Sequence, residues 1–139
     1  PNLMKAIGYQ ESSGNYKADN PAAYGKENPA LGKYQILWTN VKAWARQYGM
    51  PHPGTKEDFK NNPKYQETMA KKAFEGYLQQ AAKKTDDRDV MIRMAAAAWY
   101  GGPGAMYNYD DLNYSGGPGY PNMQQYTMEV LQKYKGGMF

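Results

Sequence analysis

Apolar residues recur at three- and four-residue intervals through most of this 139-residue chain, whereas the two-residue alternation of half-buried strands is hard to find. Leu3, Ile7 and Glu11 fall at i, i+4 and i+8 behind Asn2, a capping residue type, with Gly14 placed to end the helix. A second helix is predicted after Thr39 or Asn40, with Val41, Trp44, Ala45 and Tyr48 on one face and Gly49 as its stop. The longest runs from Pro63 to the neighbourhood of Lys84 on the stripe Tyr65, Met69, Ala73, Tyr77 and Ala81, with Ala70, Phe74 and Leu78 beside it. Asp86, Asp87 and Asp89 suit the positive start of a fourth helix, whose apolar set Val90, Met91, Met94, Ala95 and Ala98 is nearly continuous, as in a central, buried helix. G101-G-P-G104 stops it. Residues 105–121 read as loop, with S115-G-G-P-G-Y120 the most flexible part. A last helix follows Asn122, carrying Met123, Tyr126, Thr127, Val130, Leu131 and Tyr134 until Gly136 and Gly137. No internal repeat or linker divides residues 1–139, so the expectation is a mainly α single domain with a small irregular or β element between residues 15 and 35.

One polar position breaks the apolar stripes. In A6-I-G-Y-Q-E-S-S-G-N15, Glu11 continues the line of Leu3 and Ile7, and burying a carboxylate costs free energy unless it is paired or protonated. The positions three and four residues away are Ile7, Gly8, Gly14 and Asn15, none of them Lys or Arg. In the apolar wall of a cleft such a carboxyl holds its proton more tightly, which makes it a candidate general acid near neutral pH; a solvated Glu at a helix end is the plain alternative.

Composition narrows the chemistry further. The chain has no cysteine, so disulfides and thiolate metal sites are excluded, and its single histidine, His52, sits between prolines, a poor base for a metal cluster or a Ser-His-Asp triad. Neither metal nor cofactor is expected. No apolar run is long enough to span a membrane and the amino end has no signal-peptide pattern, but the chain begins at Pro1, as a processed product or a domain of a longer protein would. A net charge of +4 is spread along the sequence rather than gathered in a stripe, which argues against nucleic acid as partner. Tyrosine is the unusual count, 14 against 3 phenylalanines, and phenol rings suit a groove that holds a sugar chain, although any one Tyr is better explained at the core boundary.

The order of the motifs carries a resemblance. E11-S-S-G14, then A30-L-G-K-Y-Q-I36, then A97-A-W-Y-G-G-P-G104, and finally Tyr126 four residues before Val130, together resemble the signature of the soluble lytic transglycosylases, relatives of the goose-type lysozymes. The likeness extends from residue 6 to residue 131. It implies a lysozyme-like α fold with a cleft, and cleavage of the β-1,4 bond between N-acetylmuramic acid and N-acetylglucosamine in peptidoglycan. Carried over by position, Glu11 matches the catalytic acid, Ser12 the serine after it, and Gly32 and Gln35 the glycine and glutamine of the second motif. Tyr34 stands where the family has Met and Lys33 where it has Leu. Trp99 and Tyr100 stand at the Tyr-Asn pair of the third motif, and Tyr126 at the tyrosine of the last helix. Lys26 occupies the spacing of a serine the family uses on substrate. The substrate-binding set implied is Ser12, Gly32, Tyr34, Gln35, Trp99, Tyr100 and Tyr126, while plain structural readings stay open for Gln35 (loop backbone), Trp99 and Tyr126 (core).

The same resemblance implies a mechanism with one carboxylate, Glu11 acting first as acid and then as base, and a 1,6-anhydromuramyl product. Q35-I-L-W-T-N40 lacks the acids that goose-type lysozymes carry after the second motif, which favours this reading over hydrolysis, although Glu27, Asp110 or Asp111 could supply a second carboxylate from loops. A non-catalytic glycan-binding module is the alternative of another class. The implied partner is a peptidoglycan strand and the implied place the cell wall, in the periplasm or outside the cell, a phage particle included. A monomer is expected.

Overall fold

The computed structural model of the chain describes residues 2–21 and 25–136. The chain is mainly helical, with a small antiparallel sheet. In order, the elements are α1 (Asn2–Ser12), β1 (Asp19–Asn20), β2 (Ala30–Leu31), β3 (Ile36–Leu37), α2 (Trp38–Gln47), α3 (Lys56–Lys60), α4 (Pro63–Ala82), α5 (Arg88–Gly101), a 3-10 helix (Pro103–Asn108) and α6 (Met123–Gly136). The chain divides into two compact units, Gly8–Lys72 and Pro1–Ile7 with Ala73–Phe139. Their boundaries fall inside α1 and α4 rather than in linkers.

In Gly8–Lys72 the sheet has the order β1-β2-β3, with Asp19 opposite Leu31 and Leu31 opposite Ile36. It extends two residues past the predicted 15–35 window. Leu31, Ile36, Trp38, Val41, Ala45, Phe59, Met69 and Ala70 are buried, and Trp38 meets Phe59 edge to face with centroids 6.5 Å apart. α2 starts at Trp38, earlier than predicted, because its cap comes from afar: the Thr39 N–H donates to Asn28 Oδ1 at 2.9 Å. α3 was not anticipated. It rests on a reciprocal capping box, in which the Asp58 N–H donates to Thr55 Oγ1 (3.1 Å) and the Thr55 N–H to Asp58 Oδ2 (2.8 Å).

In the other unit α5 packs on α6 and on the 3-10 helix. Asp87 caps α5 by accepting from the Asp89 and Val90 N–H groups (2.9 and 3.2 Å), as its acidic run predicts. Ala95, Ala96, Ala97 and Ala98 are all buried, so α5 is covered on several faces, and Met94 and Ala98 cluster with Ala81 and Met106. Met106 lies in the 3-10 helix, where the sequence was read as loop; Pro103 at its first turn pre-sets φ after the glycine stop. Asn122 caps α6 as predicted, its Oδ1 accepting from the Gln125 N–H at 2.8 Å. Asn2, expected as a cap, is already helical, and Gly137 lies outside the described residues. Among the described residues no helix is long and apolar enough to cross a membrane.

Candidate functional site

Glu11, Ser12, Gly32, Tyr34 and Gln35 all belong to the Gly8–Lys72 unit; Trp99, Tyr100 and Tyr126 belong to the other. In the first group the local chemistry is polar. α1 ends at Ser12, and the chain then turns through left-handed conformations at Ser13 (φ 55°) and Gly14 (φ 83°). Glu11 is therefore in the last turn, half-buried, where Leu3 and Ile7 on the same stripe are fully buried. Ser12 is the hinge of the arrangement: its Oγ donates to the Lys33 carbonyl at 2.7 Å and accepts from the Asn15 N–H at 3.0 Å. The end of α1 is thereby tied to the turn between β2 and β3 that contains Gly32, Lys33, Tyr34 and Gln35.

That turn is tightly specified. Gly32 has φ 80°, and a Cβ there would clash with the buried Gln66 amide, so a larger residue is disfavoured by conformation and by space. Gln35 takes φ 53°, uncommon outside glycine. Its N–H and its Nε2 both donate to the Gly32 carbonyl (3.2 and 3.1 Å), which is the structural reading left open for this residue. Tyr34 is 1% exposed, and its hydroxyl donates to Glu67 Oε1 at 2.7 Å, so its ring is a core element of this unit rather than an open stacking face.

Two residues of α4 hold the turn, and neither was nominated from sequence. Gln66 is buried; its Oε1 accepts from the Lys33 N–H (2.9 Å), and its Nε2 donates to the Phe59 and Tyr16 carbonyls (2.8 and 3.0 Å). Glu67 accepts from Lys33 Nζ (2.8 Å) and from the hydroxyls of Tyr16 and Tyr34 (both 2.7 Å). Burial pushes the Glu67 carboxyl up, but hydrogen bonds from Lys33, Tyr34 and Tyr16 outweigh it and leave it below the usual glutamate range. Conversely burial lowers Lys33, and the Glu67 carboxylate more than restores it, to above the ordinary lysine value. Burial first and Glu67 second raise Tyr34 far beyond its ordinary range, so that phenol stays a donor. A sequence signal existed for Gln66: with Met69, Ala70 and Ala73 it follows i, i+3, i+4, i+7, the inward face of α4.

In the second group the contacts are aromatic. Trp99 stacks on Phe74 with centroids 4.1 Å apart, so one face of the indole is covered. Tyr100 stacks on the buried Tyr126 at 4.0 Å with planes 5° apart, and meets Tyr114 edge to face. The Tyr100 hydroxyl donates to the Pro121 carbonyl (2.7 Å) and accepts from the Gly116 N–H (2.8 Å), which pins both sides of the Ser115–Tyr120 loop. Outward-facing rings exist nearby in sequence: Tyr107, Tyr114 and Tyr120 are 59, 40 and 42% exposed. Of the acids named as second carboxylates, Asp110 is ion-paired with Arg93, Asp111 Oδ1 accepts from the Asn113 N–H (2.8 Å), and Glu27 is exposed.

A groove of about 850 Å³ in this unit, lined by Leu3, Leu78, Met91, Ile92, Arg88 and Tyr134 among others, holds none of the nominated residues and no carboxylate. Among the described residues no cluster of three His, Asp or Glu is arranged to hold a metal ion. Compared with protein families, curated proteins and solved structures, the chain matches none.

Proposed function

We propose that the chain is a peptidoglycan lytic transglycosylase of lysozyme-like fold, acting at the cell wall with Glu11 as its single acid and base. The observation that carries this reading is the 2.7 Å bond from Ser12 Oγ to the Lys33 carbonyl, which joins the helix end bearing Glu11 to the turn bearing Gly32 and Gln35. Those are the first two of the four ordered motifs, and a general acid needs such fixed neighbours to meet its substrate in one geometry. The exposed rings of Tyr107, Tyr114 and Tyr120 support a glycan as partner, since sugars present apolar faces to phenols.

In this mechanism the Glu11 carboxyl gives its proton to the glycosidic oxygen as the bond from muramyl C1 breaks. The 2-acetamido oxygen of the same sugar stabilises the charge at C1. The C6 hydroxyl then attacks C1, returns its proton to the Glu11 carboxylate and closes the 1,6-anhydro ring. The enzyme ends as it began. Hydrolysis through a second carboxylate finds less support, because Q35-I-L-W-T-N40 after the second motif carries no acid and Asp110 is held by Arg93.

Mass spectrometry of digested peptidoglycan sacculi tests the reading. Anhydromuramyl ends are expected from the wild type, and Glu11→Gln should lower their rate of appearance by about 10²–10⁴-fold. Reducing ends bearing an added water, or full activity in Glu11→Gln, would refute it.

A further inference from the structure

Glu67 takes no part in the chemistry proposed above, yet it is among the most heavily bonded side chains of its unit. Its three donors converge from two separate stretches, Tyr16 after α1 and Lys33 with Tyr34 in the turn before β3. Lys33 is consequently held at three points. Its ammonium is fixed by Glu67 (2.8 Å), its N–H by Gln66 Oε1 (2.9 Å) and its carbonyl by Ser12 Oγ (2.7 Å). A fourth contact is the position of that ammonium over the Tyr16 and Tyr34 rings, 5.1 and 5.2 Å from their centroids.

Such a network is a poor device for stability alone. Lys33 and Glu67 are only partly withdrawn from water, and the cost of that withdrawal offsets much of what their attraction returns. What an ion pair with three donors does supply is one geometry. Here the geometry passes along a short covalent and hydrogen-bonded path, from Glu67 to Lys33, from the Lys33 carbonyl to Ser12, and from Ser12 to its neighbour Glu11.

We infer that Glu67 is a positioning residue for Glu11, fixing Lys33 so that Ser12 holds the last turn of α1 in the orientation that presents the acid. The inference rests on the reading of Glu11 as the catalytic acid. Glu67 itself touches no substrate in this scheme, and its influence is on the placement of a proton rather than on the grip on the glycan.

The test measures anhydromuramyl product from solubilised glycan strands, with rates expressed per folded molecule by circular dichroism. Glu67→Gln keeps the shape and one acceptor but cannot pair with the ammonium; it is expected to lower kcat about tenfold with KM held within about twofold, since a displaced acid still lets the strand bind. The double variant Lys33→Met/Glu67→Met removes both charges together, so it should unfold cooperatively like wild type and show the same loss of kcat, which separates positioning from folding even if the single variant folds poorly. Wild-type kcat in either folded variant overturns the inference, as does a loss confined to KM, which would make Glu67 a substrate contact. A wild-type chain that yields no anhydromuramyl ends removes the enzymatic reading and this inference with it, an outcome visible before any variant is made.

Discussion

The two units hold their loops by different physics. In Gly8–Lys72 the Gly32–Gln35 turn is gripped by a buried amide and a carboxylate, Gln66 and Glu67, through hydrogen bonds of 2.7–2.9 Å. In the other unit the Ser115–Tyr120 loop is gripped by one tyrosine, Tyr100, which stacks on Tyr126 and uses its hydroxyl twice. The first device depends on charge and on complete satisfaction of buried polar atoms. The second depends on ring contact and a neutral hydroxyl, so it is insensitive to pH through the neutral and acidic range.

The sharpest way to break the comparison is Gln66→Leu, which keeps volume while stripping the partners of the Lys33 N–H and the Phe59 and Tyr16 carbonyls. Urea unfolding should show a loss of about 2 kcal/mol, because each abandoned group costs about 1 kcal/mol where buried, as at the Phe59 carbonyl, and less where partly buried, as at the Lys33 N–H and the Tyr16 carbonyl. A loss below about 1 kcal/mol would mean the turn does not rely on the amide. Tyr100→Phe is the matching cut in the other unit. It keeps the stack and removes the hydroxyl, so a loss of about 1 kcal/mol is expected, the same at pH 4 as at pH 7, with faster hydrogen exchange at the Gly116 amide.

The smallest effect is the pH dependence of the Gly8–Lys72 unit. Glu67 is depressed in the folded state, so its contribution is fully present above the unfolded glutamate value and is lost as pH falls through the lower folded one. Wild type should therefore lose stability below about pH 4.3, the unfolded glutamate value, with a steeper slope than Glu67→Gln, whereas Tyr100→Phe keeps the wild-type slope. Equal slopes in wild type and Glu67→Gln would show that the carboxylate contributes nothing through its charge.

The same contrast explains what was legible in the sequence. Helices announced themselves wherever period and cap lie close together, as with Asp87 before α5 and Asn122 before α6. The three-strand sheet fell near the expected window because Gly, Asn and Pro punctuate it. α3 has a local signature, Thr55 with Asp58, but only five residues and one buried side chain, Phe59, too short for a period to emerge. The start of α2 was displaced because Asn28, eleven residues upstream of Thr39, supplies the cap. Glu11, Ser12 and Gln35 were nominated through ordered motifs. Glu67 was not, since its donors lie 33, 34 and 51 residues away, and no spacing rule marks an exposed-looking glutamate whose partners are brought by tertiary contact. Tyr34 and Tyr100 were named for substrate, and each spends its hydroxyl inside its own unit.

The Phe74–Trp99 stack has a use outside function. The three indoles are shared unevenly, Trp38 and Trp44 in α2 and Trp99 in α5, so each unit carries its own fluorophore. In a chain with Trp38 and Trp44 replaced by Phe, emission reports on the surroundings of Phe74 and Trp99 alone. Its urea midpoint, set beside that of a Trp99→Phe chain, reads the unfolding of α5 and of α2 as two separate optical signals.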